Sequence, residues 1–301
     1  MKRILLAGIA LGAIGLAGSA MAADMVLKAP PPPPPWTWTG FYVGGNVGYS
    51  LGSDPTNFNE TATATSVVTA TTRSGAPLAG NGTTTTTTTT ASGGTTGNMD
   101  GWLGGVQAGY NWQRDRWVLG LETDFQWTGQ KDDPTFCATP GCPAGSVFGT
   151  NTTSLPWFGT FRGRVGVTSD PSSTWGPLLL YVTGGLAYGR IEESYGGGLV
   201  GGPIGTLSVD TTRAGWTVGG GGEARLGNSN WTLKLEYLYI DFGSVSGAVS
   251  GTGAPVVTPF GINNADLVHF LTTTTAITGI ASTHVTDNIV RLGLNYKFPP
   301  Q

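Results

Sequence analysis

The sequence predicts an all-β protein, an eight-stranded up-and-down antiparallel transmembrane β-barrel with short periplasmic turns and long extracellular loops. Eight segments alternate apolar residues with polar or small ones, which is the pattern of a strand with one apolar face. The connections between these segments alternate long and short along the whole chain, as in bacterial outer-membrane barrels. The chain also begins with the pattern of an export signal.

Residues 1–22 are predicted to be a signal peptide. Lys2 and Arg3 precede the uncharged apolar run Ile4–Ala17, and Ala20-Met21-Ala22 has the small residues that a signal peptidase reads. The alternative is an uncleaved membrane anchor, but the run is shorter than the roughly 20 residues that span a bilayer. Cleavage after Ala22 would leave the N-terminus in the periplasm.

The remaining chain divides into a linker, a barrel and a short tail. Residues 23–38 are predicted to be a Pro-rich periplasmic linker, because the six prolines Pro30–Pro35 favour a stiff polyproline II segment. A ligand for a proline-binding domain is the alternative use of that run. Residues 39–298 are predicted to form the barrel, and residues 299–301 a C-terminal extension.

Composition supports a membrane barrel and argues against nucleic-acid binding. Charged residues make up 11% of the chain and 50 of its 301 residues are glycine. Without Lys2 and Arg3 the chain has 13 basic and 18 acidic residues, a net charge of −5, and no basic patch. No later stretch is as long and apolar as a transmembrane helix. A membrane-spanning form must therefore satisfy its backbone hydrogen bonds as a closed barrel.

The closing strand, Ile289–Phe298, has the clearest alternation. Its apolar face carries Val290, Leu292, Leu294, Tyr296 and Phe298, and its other face carries Arg291, Gly293, Asn295 and Lys297. A soluble lipocalin-type barrel would turn its apolar side chains inward around a ligand. The inward face would here be the apolar one, and the wet face would carry glycine, asparagine, threonine and opposite charges. This distribution favours the membrane barrel.

The seven other predicted strands are Phe41–Leu51, Trp102–Trp112, Trp117–Trp127, Trp157–Val167, Leu178–Tyr188, Gly215–Leu226 and Trp231–Ile240. Tryptophans lie at their ends, as the aromatic girdles of a membrane barrel require. The connections Ser53–Asn98, Lys131–Ser154, Tyr195–Asp210 and Gly243–Thr283 are predicted to be the long loops. The first of them is threonine-rich and of low complexity, so we expect a mobile surface loop.

Cys137 and Cys142, the only cysteines, lie together in the second long loop. In an exported protein such a pair is expected to form a local disulfide. A metal site is the alternative, but no histidine is nearby in sequence, and neither a metal nor a cofactor is expected.

The polar faces of the strands carry charges of both signs. These are Glu122, Asp124, Glu223 and Glu236 with Arg162, Arg164, Arg225, Lys234, Arg291 and Lys297. Eight strands enclose an interior just wide enough to be filled by side chains. Since unpaired buried ions are costly, we expect these charges to pair and plug the lumen. The alternative is an ion pathway lined by the same residues.

The chain resembles the small OmpA-like, porin-family outer-membrane barrels of Gram-negative bacteria, the outer-membrane immunogenic protein type. The resemblance rests on the segments Trp38–Tyr49 and Leu292–Phe298. It implies that Tyr296 and Phe298 form the assembly signal read by the barrel-assembly machinery. The family pattern ends on an aromatic residue, whereas this chain adds Pro299-Pro300-Gln301.

Three functions follow as hypotheses. The first is a structural, surface-display barrel in the outer-membrane lipid, monomeric, with loops that could meet a surface or host ligand. The second is a narrow diffusion channel. The third is an outer-membrane enzyme, for which His269 and His284 are the only histidines available.

Overall fold

The structure is a computed structural model that describes residues 36–72, 83–137, 139–144, 146–170, 176–199, 202, 204–259 and 267–299. Residues 37–301 belong to one compact unit. The predicted signal peptide and the prolines Pro30–Pro35 lie outside the described residues. Within the described ranges, no helix is both long and apolar enough to cross a membrane.

The described strands are β1 Gly40–Ser53, β2 Thr56–Thr72, β3 Thr83–Thr95, β4 Asp100–Arg114, β5 Trp117–Asp132, β6 Thr135–Cys137, β7 Val147–Thr168, β8 Leu178–Leu199, β9 Ile204–Arg225, β10 Trp231–Thr252, β11 Val256–Pro259 and β12 Leu267–Lys297. Eight of them, β1, β4, β5, β7, β8, β9, β10 and β12, pair in that order as an antiparallel ring. The ring closes where β1 pairs with β12, from Tyr42 opposite Lys297 to Ser53 opposite Thr286. The predicted eight-stranded barrel is confirmed.

Alternation along the strands separates an apolar outer face from a polar inner face. On β10, Leu233, Leu235 and Tyr237 are exposed, whereas Lys234 and Glu236 are buried. Leu235 is 57% exposed and Lys234 0%, which is the reverse of a soluble barrel. The exposed apolar face is the surface that lipid covers in a membrane barrel.

Aromatic side chains form two belts on the outer face. The belt at the terminal end, where β1 begins and β12 ends, comprises Phe41, Tyr110, Trp112, Trp117, Trp231, Tyr296 and Phe298; the belt towards the far end comprises Tyr49, Trp102, Trp127, Trp157, Tyr188, Trp216 and Tyr239. On β4, Trp102 lies in one belt and Trp112 in the other, so the stretch between them spans the distance between the belts. At about 3.3 Å per residue and a tilt of about 40°, this stretch covers roughly 25 Å, the height of the apolar band of an outer-membrane barrel.

The expectation of a mobile loop at Ser53–Asn98 is wrong. Most of that segment is strand. β2 pairs with β12 in the register already set by β1, with Thr56 opposite Thr283. β3 pairs with β2 in the same register in which β4 pairs with β1. Threonine is β-branched and favours strands, and the adjacent β12 supplies backbone partners, so no separate core is needed. We call the β2–β3 hairpin the threonine arm.

The other three predicted long loops are also mostly strand. β5 and β7 extend into Lys131–Ser154, which also contains β6. β8 and β9 extend into Tyr195–Asp210, and β10, β11 and β12 occupy much of Gly243–Thr283.

Trp38, assigned to the linker on sequence, packs inside the terminal end of the barrel. It is 1% exposed and contacts Val118, Leu179 and Tyr181. Its indole Nε1 donates a hydrogen bond to Oγ1 of Thr168 over 2.8 Å. The barrel unit therefore begins before residue 39.

Candidate functional site

The interior of the barrel contains a cluster of eight charged side chains, which we call the charge network. β5 contributes Glu122 and Asp124, β7 Arg162 and Arg164, β9 Glu223, β10 Lys234 and Glu236, and β12 Arg291. Each sits at an inward position of the two-residue strand period. None is more than 4% exposed, and four acids balance four bases.

Glu122 lies at the centre of the network. Nζ of Lys234 lies 3.0 Å from each of its carboxylate oxygens, and Arg162 and Arg164 also pair with it, Arg164 over 3.5 Å. The Tyr42 hydroxyl donates to Oε2 of Glu122 over 2.7 Å. Arg291 Nη2 also lies 3.6 Å from Oε1 of Glu122. One carboxylate therefore joins four cations from three strands, which gives each cation a nearby countercharge.

Asp124 and Glu236 link the network to the closing strand. Arg291 Nη2 lies 2.9 Å from Asp124 Oδ2, and Arg291 Nε donates to Glu236 Oε2 over 2.7 Å. Arg162 bridges the same two acids, at 2.9 Å and 3.2 Å. The Tyr181 hydroxyl donates to the other Glu236 oxygen over 2.7 Å. Shared partners make the pairs interdependent, so the loss of one group leaves others unpaired.

Arg164 extends the network towards the terminal end. It pairs with Glu223 over 3.2 Å, and Asn295 donates to Glu223 over 2.9 Å. The guanidinium carbon of Arg164 lies 4.7 Å from the ring centre of Tyr42 and 5.2 Å from that of Tyr181. Two aromatic faces thus add cation–π contacts to the ion pairs of Arg164.

Two of the ten predicted network residues, Arg225 and Lys297, lie at the ends of their strands. Arg225, at the end of β9, donates to the backbone carbonyls of Asn228 and Ser229 in the following turn. Lys297 is the last residue of β12, and its side chain lies beside Gly40. Strand alternation predicts which face a residue occupies but not its depth, and both residues lie at the rim.

Above the charge network, towards the far end, the interior is lined by apolar side chains that we call the apolar layer. Its buried members are Met99, Leu103, Leu155, Phe158, Ala187, Ile191, Leu238, Ile240, Phe242, Val245, Val285 and Ile289. The sequence pattern did not predict this layer. Tyr237–Ile240 is apolar at every position, which indicates a strand buried on both faces and could have revealed it.

Cys137 and Cys142 are joined by a disulfide, with Cα atoms 5.7 Å apart. It closes the short segment that follows β6. The predicted assembly residues Tyr296 and Phe298 lie on the outer face, and their rings are 5.2 Å apart. The Phe298 amide donates to the Phe41 carbonyl over 2.9 Å, so the last aromatic residue is joined to the first strand.

The two histidines do not share a site. His269 and His284 lie on the same strand, roughly 50 Å apart at about 3.3 Å per residue. His284 has two polar neighbours: its Nδ1 lies 3.0 Å from Ser244 Oγ, and its Nε2 lies 3.4 Å from Asp241 Oδ1. Oδ1 of Asp241 already accepts the Gly243 amide over 2.7 Å.

Sequence comparison decides the family. The profile of the outer membrane protein beta-barrel domain matches residues 9–298. The chain belongs to the outer-membrane β-barrel protein family. It is 37% identical over 256 residues to the 31 kDa outer-membrane immunogenic protein of Brucella melitensis, covering 81% of this chain and 88% of that protein.

Two further relatives agree with this family. The 22 kDa outer membrane protein of Rhizobium leguminosarum is 36% identical over 144 residues, covering 48% of this chain and 54% of that protein. The 25 kDa outer-membrane immunogenic protein of Brucella abortus is 25% identical over 243 residues, covering 78% and 82%. The predicted location in the cell outer membrane is confirmed. The apolar outer face and its aromatic belts are therefore the surface that meets outer-membrane lipid.

Proposed function

We propose that this outer-membrane barrel has a structural and surface-display role, and that its lumen is closed to solutes. The observation that carries the proposal is the charge network, in which eight buried charges sum to zero and each forms at least one ion pair. An interior of eight strands leaves little room beyond such side chains. The apolar layer beyond the network opposes ion passage further, because an ion there would lose its hydration.

The threonine arm supports the display part of the proposal. Thr83–Thr90 is exposed at every position, and it lies beyond the belt that contains Tyr49 and Trp102. The arm therefore extends the barrel wall past the lipid. Two Brucella relatives are described as immunogenic, and we extend to this chain the expectation that its far end meets antibodies or a surface ligand. Insertion as a monomer by the barrel-assembly machinery, with Tyr296 and Phe298 as its signal, belongs to the same proposal.

Conductance tests the closed lumen. Purified protein in planar bilayers should give no regular steps, and liposomes containing it should not swell in sugars. The double variant Arg162→Ala, Arg164→Ala should leak, because it removes two cationic partners from Glu122 and one from Glu223. A matched variant, Arg190→Ala, removes an arginine whose side chain is 42% exposed and should not leak. Large, regular, ion-selective steps from the unmodified barrel would support the channel instead.

An enzyme is the second candidate, and the arrangement of Ser244, His284 and Asp241 favours it. A hydroxyl, an imidazole and a carboxylate in that order could activate the serine towards an ester. The three residues lie just beyond Tyr239, in the belt nearer the far end. If the barrel hydrolyses lipid esters, the acyl pattern of lipopolysaccharide should change when the protein is expressed and revert with His284→Ala. An identical pattern for the unmodified protein and the variant would support the structural role.

A further inference from the structure

The threonine arm ends on a strand that has a hydrogen-bonded neighbour on one side only. Among the described strands, β3 pairs with β2 alone, along its whole length from Thr83 to Thr95. Nearer the terminal end, β4 has β1 on one side and β5 on the other. β5 pairs with β4 only as far as Thr128, and its later residues pair with β7. In the described part of the chain, the barrel wall is therefore open along one edge of β3.

The open edge presents backbone hydrogen-bonding groups to its surroundings. Every threonine has one amide donor and one carbonyl acceptor. Alternate residues of a strand direct these groups to opposite sides, so half of the groups on β3 point away from β2. All eight side chains of Thr83–Thr90 are exposed. Such a row of backbone groups is a template on which another strand can pair.

This edge lacks the features that prevent strands from pairing between molecules. Sheet edges are usually protected by lysine, proline, a bulge or very short length. Thr83–Thr95 contains neither a charged residue nor a proline, and its register with β2 is regular throughout. The opposite border of the same projecting sheet, β11, has four residues and ends in Pro259. Only one border of the sheet is therefore both long and unprotected.

The composition of the edge indicates which strand fits it. When a strand is added to a sheet, partner specificity comes from pockets that accept alternate side chains. Thr83–Thr90 offers no such pockets, because one small β-branched side chain repeats at every position. Threonines opposite one another on paired strands stabilise the pair. The row is therefore complementary to a second copy of itself, as an interface with two-fold symmetry requires.

We propose that β3 of one barrel pairs antiparallel with β3 of a second copy through Thr83–Thr90, after each barrel has inserted as a monomer. The inference rests on the display part of the proposed function, because the arm must lie outside the lipid. It is independent of the closed lumen. A dimer formed in this way leaves the apolar outer face of each barrel in contact with lipid.

The pairing determines how the two barrels are oriented. Identical edges of two copies pair antiparallel about a two-fold axis perpendicular to the sheet. The arm continues the barrel wall, since β2 keeps the register of β1 against β12. The two-fold axis is therefore perpendicular to the barrel axis, and the two barrels point in opposite directions. In membranes, the dimer joins barrels of two facing bilayers through their far ends.

Sedimentation of the folded, purified barrel in neutral detergent tests the pairing, because barrels in separate micelles can turn towards each other. The fraction of dimer should increase with protein concentration. Thr84→Lys, Thr88→Lys should raise the dissociation constant at least about tenfold, because like charges directly opposite one another destabilise paired strands. The matched control is Ser246→Lys, Ser250→Lys, which has the same spacing at exposed positions of β10, a strand that β12 borders. It should dimerise like the unmodified protein.

A cysteine between those two positions gives a second measurement. Thr86→Cys should form a disulfide between copies, because residues opposite one another in an antiparallel pair have Cα atoms about 4.5–5.5 Å apart, a distance that a disulfide spans. The native cysteines are already joined to each other. Ser250→Cys, on an exposed position of β10, should remain reduced. This comparison remains available if the lysine variant fails to fold.

Vesicles test the facing orientation. Phosphatidylcholine vesicles that contain the barrel should adhere to one another, and vesicles that contain the lysine variant should remain separate. A barrel that stays monomeric up to about 100 μM, or dimers that Thr84→Lys, Thr88→Lys leaves intact, would overturn the proposal. A monomer that binds an added extended peptide along β3 would assign the edge to a strand of another protein. None of these outcomes alters conductance or the accessibility of the arm on cells, which test the proposed function separately.

Discussion

Arg291 on the closing strand and Asp124 on β5 form an ion pair of 2.9 Å, although 167 residues separate them in sequence. β1 and β4 lie between their strands in the ring, so the pair crosses the interior. The contact joins the last strand of the chain to the first half of the barrel, independently of the backbone pairing of β12 with β1. When β12 closes the ring, it therefore also brings the Arg291 cation to the Asp124 carboxylate in the lumen.

Loss of one cation from the charge network should destabilise the barrel strongly. Arg162→Ala leaves Glu122, Asp124 and Glu236 each without one partner. Breaking a buried pair in this way costs about 3–5 kcal/mol. The free energy of unfolding in lipid vesicles, measured by urea titration of tryptophan fluorescence, should fall by that amount. Arg190→Ala breaks only the exposed pairs with Glu192 and Asp210 and should change the free energy of unfolding by less than about 1 kcal/mol. Equal effects of the two variants would show that the network does not support the fold.

A charge on the outer face should be tolerated only beyond the lipid. Leu235 is 57% exposed between the two aromatic belts, and Val256 is 62% exposed on β11 outside them. Leu235→Arg should cost about 2–4 kcal/mol, because the cation would face the bilayer interior. Val256→Arg should cost much less, since its side chain meets water. Heat-modifiable gel mobility after insertion into membranes reports the folded fraction. Normal assembly of Leu235→Arg would reverse the assignment of faces.

The orientation of the barrel predicts which ends antibodies can reach. An epitope inserted within Thr83–Thr90 should be labelled on intact cells, because the threonine arm extends the far end. An epitope at the Asp115 turn, at the terminal end, should be labelled only after the outer membrane is permeabilised. Both tags must give equal signal in permeabilised cells. Labelling of the Asp115 tag on intact cells would invert the orientation.

Acid should stabilise the far end of the barrel. The pKa of Asp54 is raised to about 6 by burial, so the folded form holds a proton that the unfolded form releases. The contribution of Asp54 to the free energy of unfolding is therefore most favourable below about pH 4 and is lost as pH rises to about 6. Thermal unfolding should show this slope, reduced in Asp54→Asn and retained in Asp133→Asn, which changes an exposed carboxyl. A slope that is identical in all three proteins would assign it to other groups.

The sequence alone determined which residues face lipid and which face inward. Alternation has a period of two residues, so the faces of β10 and β12 can be read locally, and with them the inward placement of Arg162, Glu236 and Arg291. The same local pattern could not reveal depth along the barrel, which depends on register and stagger between strands. For this reason the sequence did not show that Arg225 and Lys297 lie at the ends of β9 and β12.

Only the tertiary structure decided what the low-complexity and interior segments do. The threonine run looked unable to fold because it carries no core of its own, yet in the barrel β12 pairs with β2, and β2 provides the backbone hydrogen bonds that order the run on β3. The apolar layer and the burial of Trp38 depend on contacts between distant strands. Asp54 and Asp132 likewise lie close together, with a carboxyl oxygen of each beside Gly97, because the ring brings the end of β1 near the end of β5. Periodicity is a local property of the chain, whereas pairing of side chains across a closed ring is not.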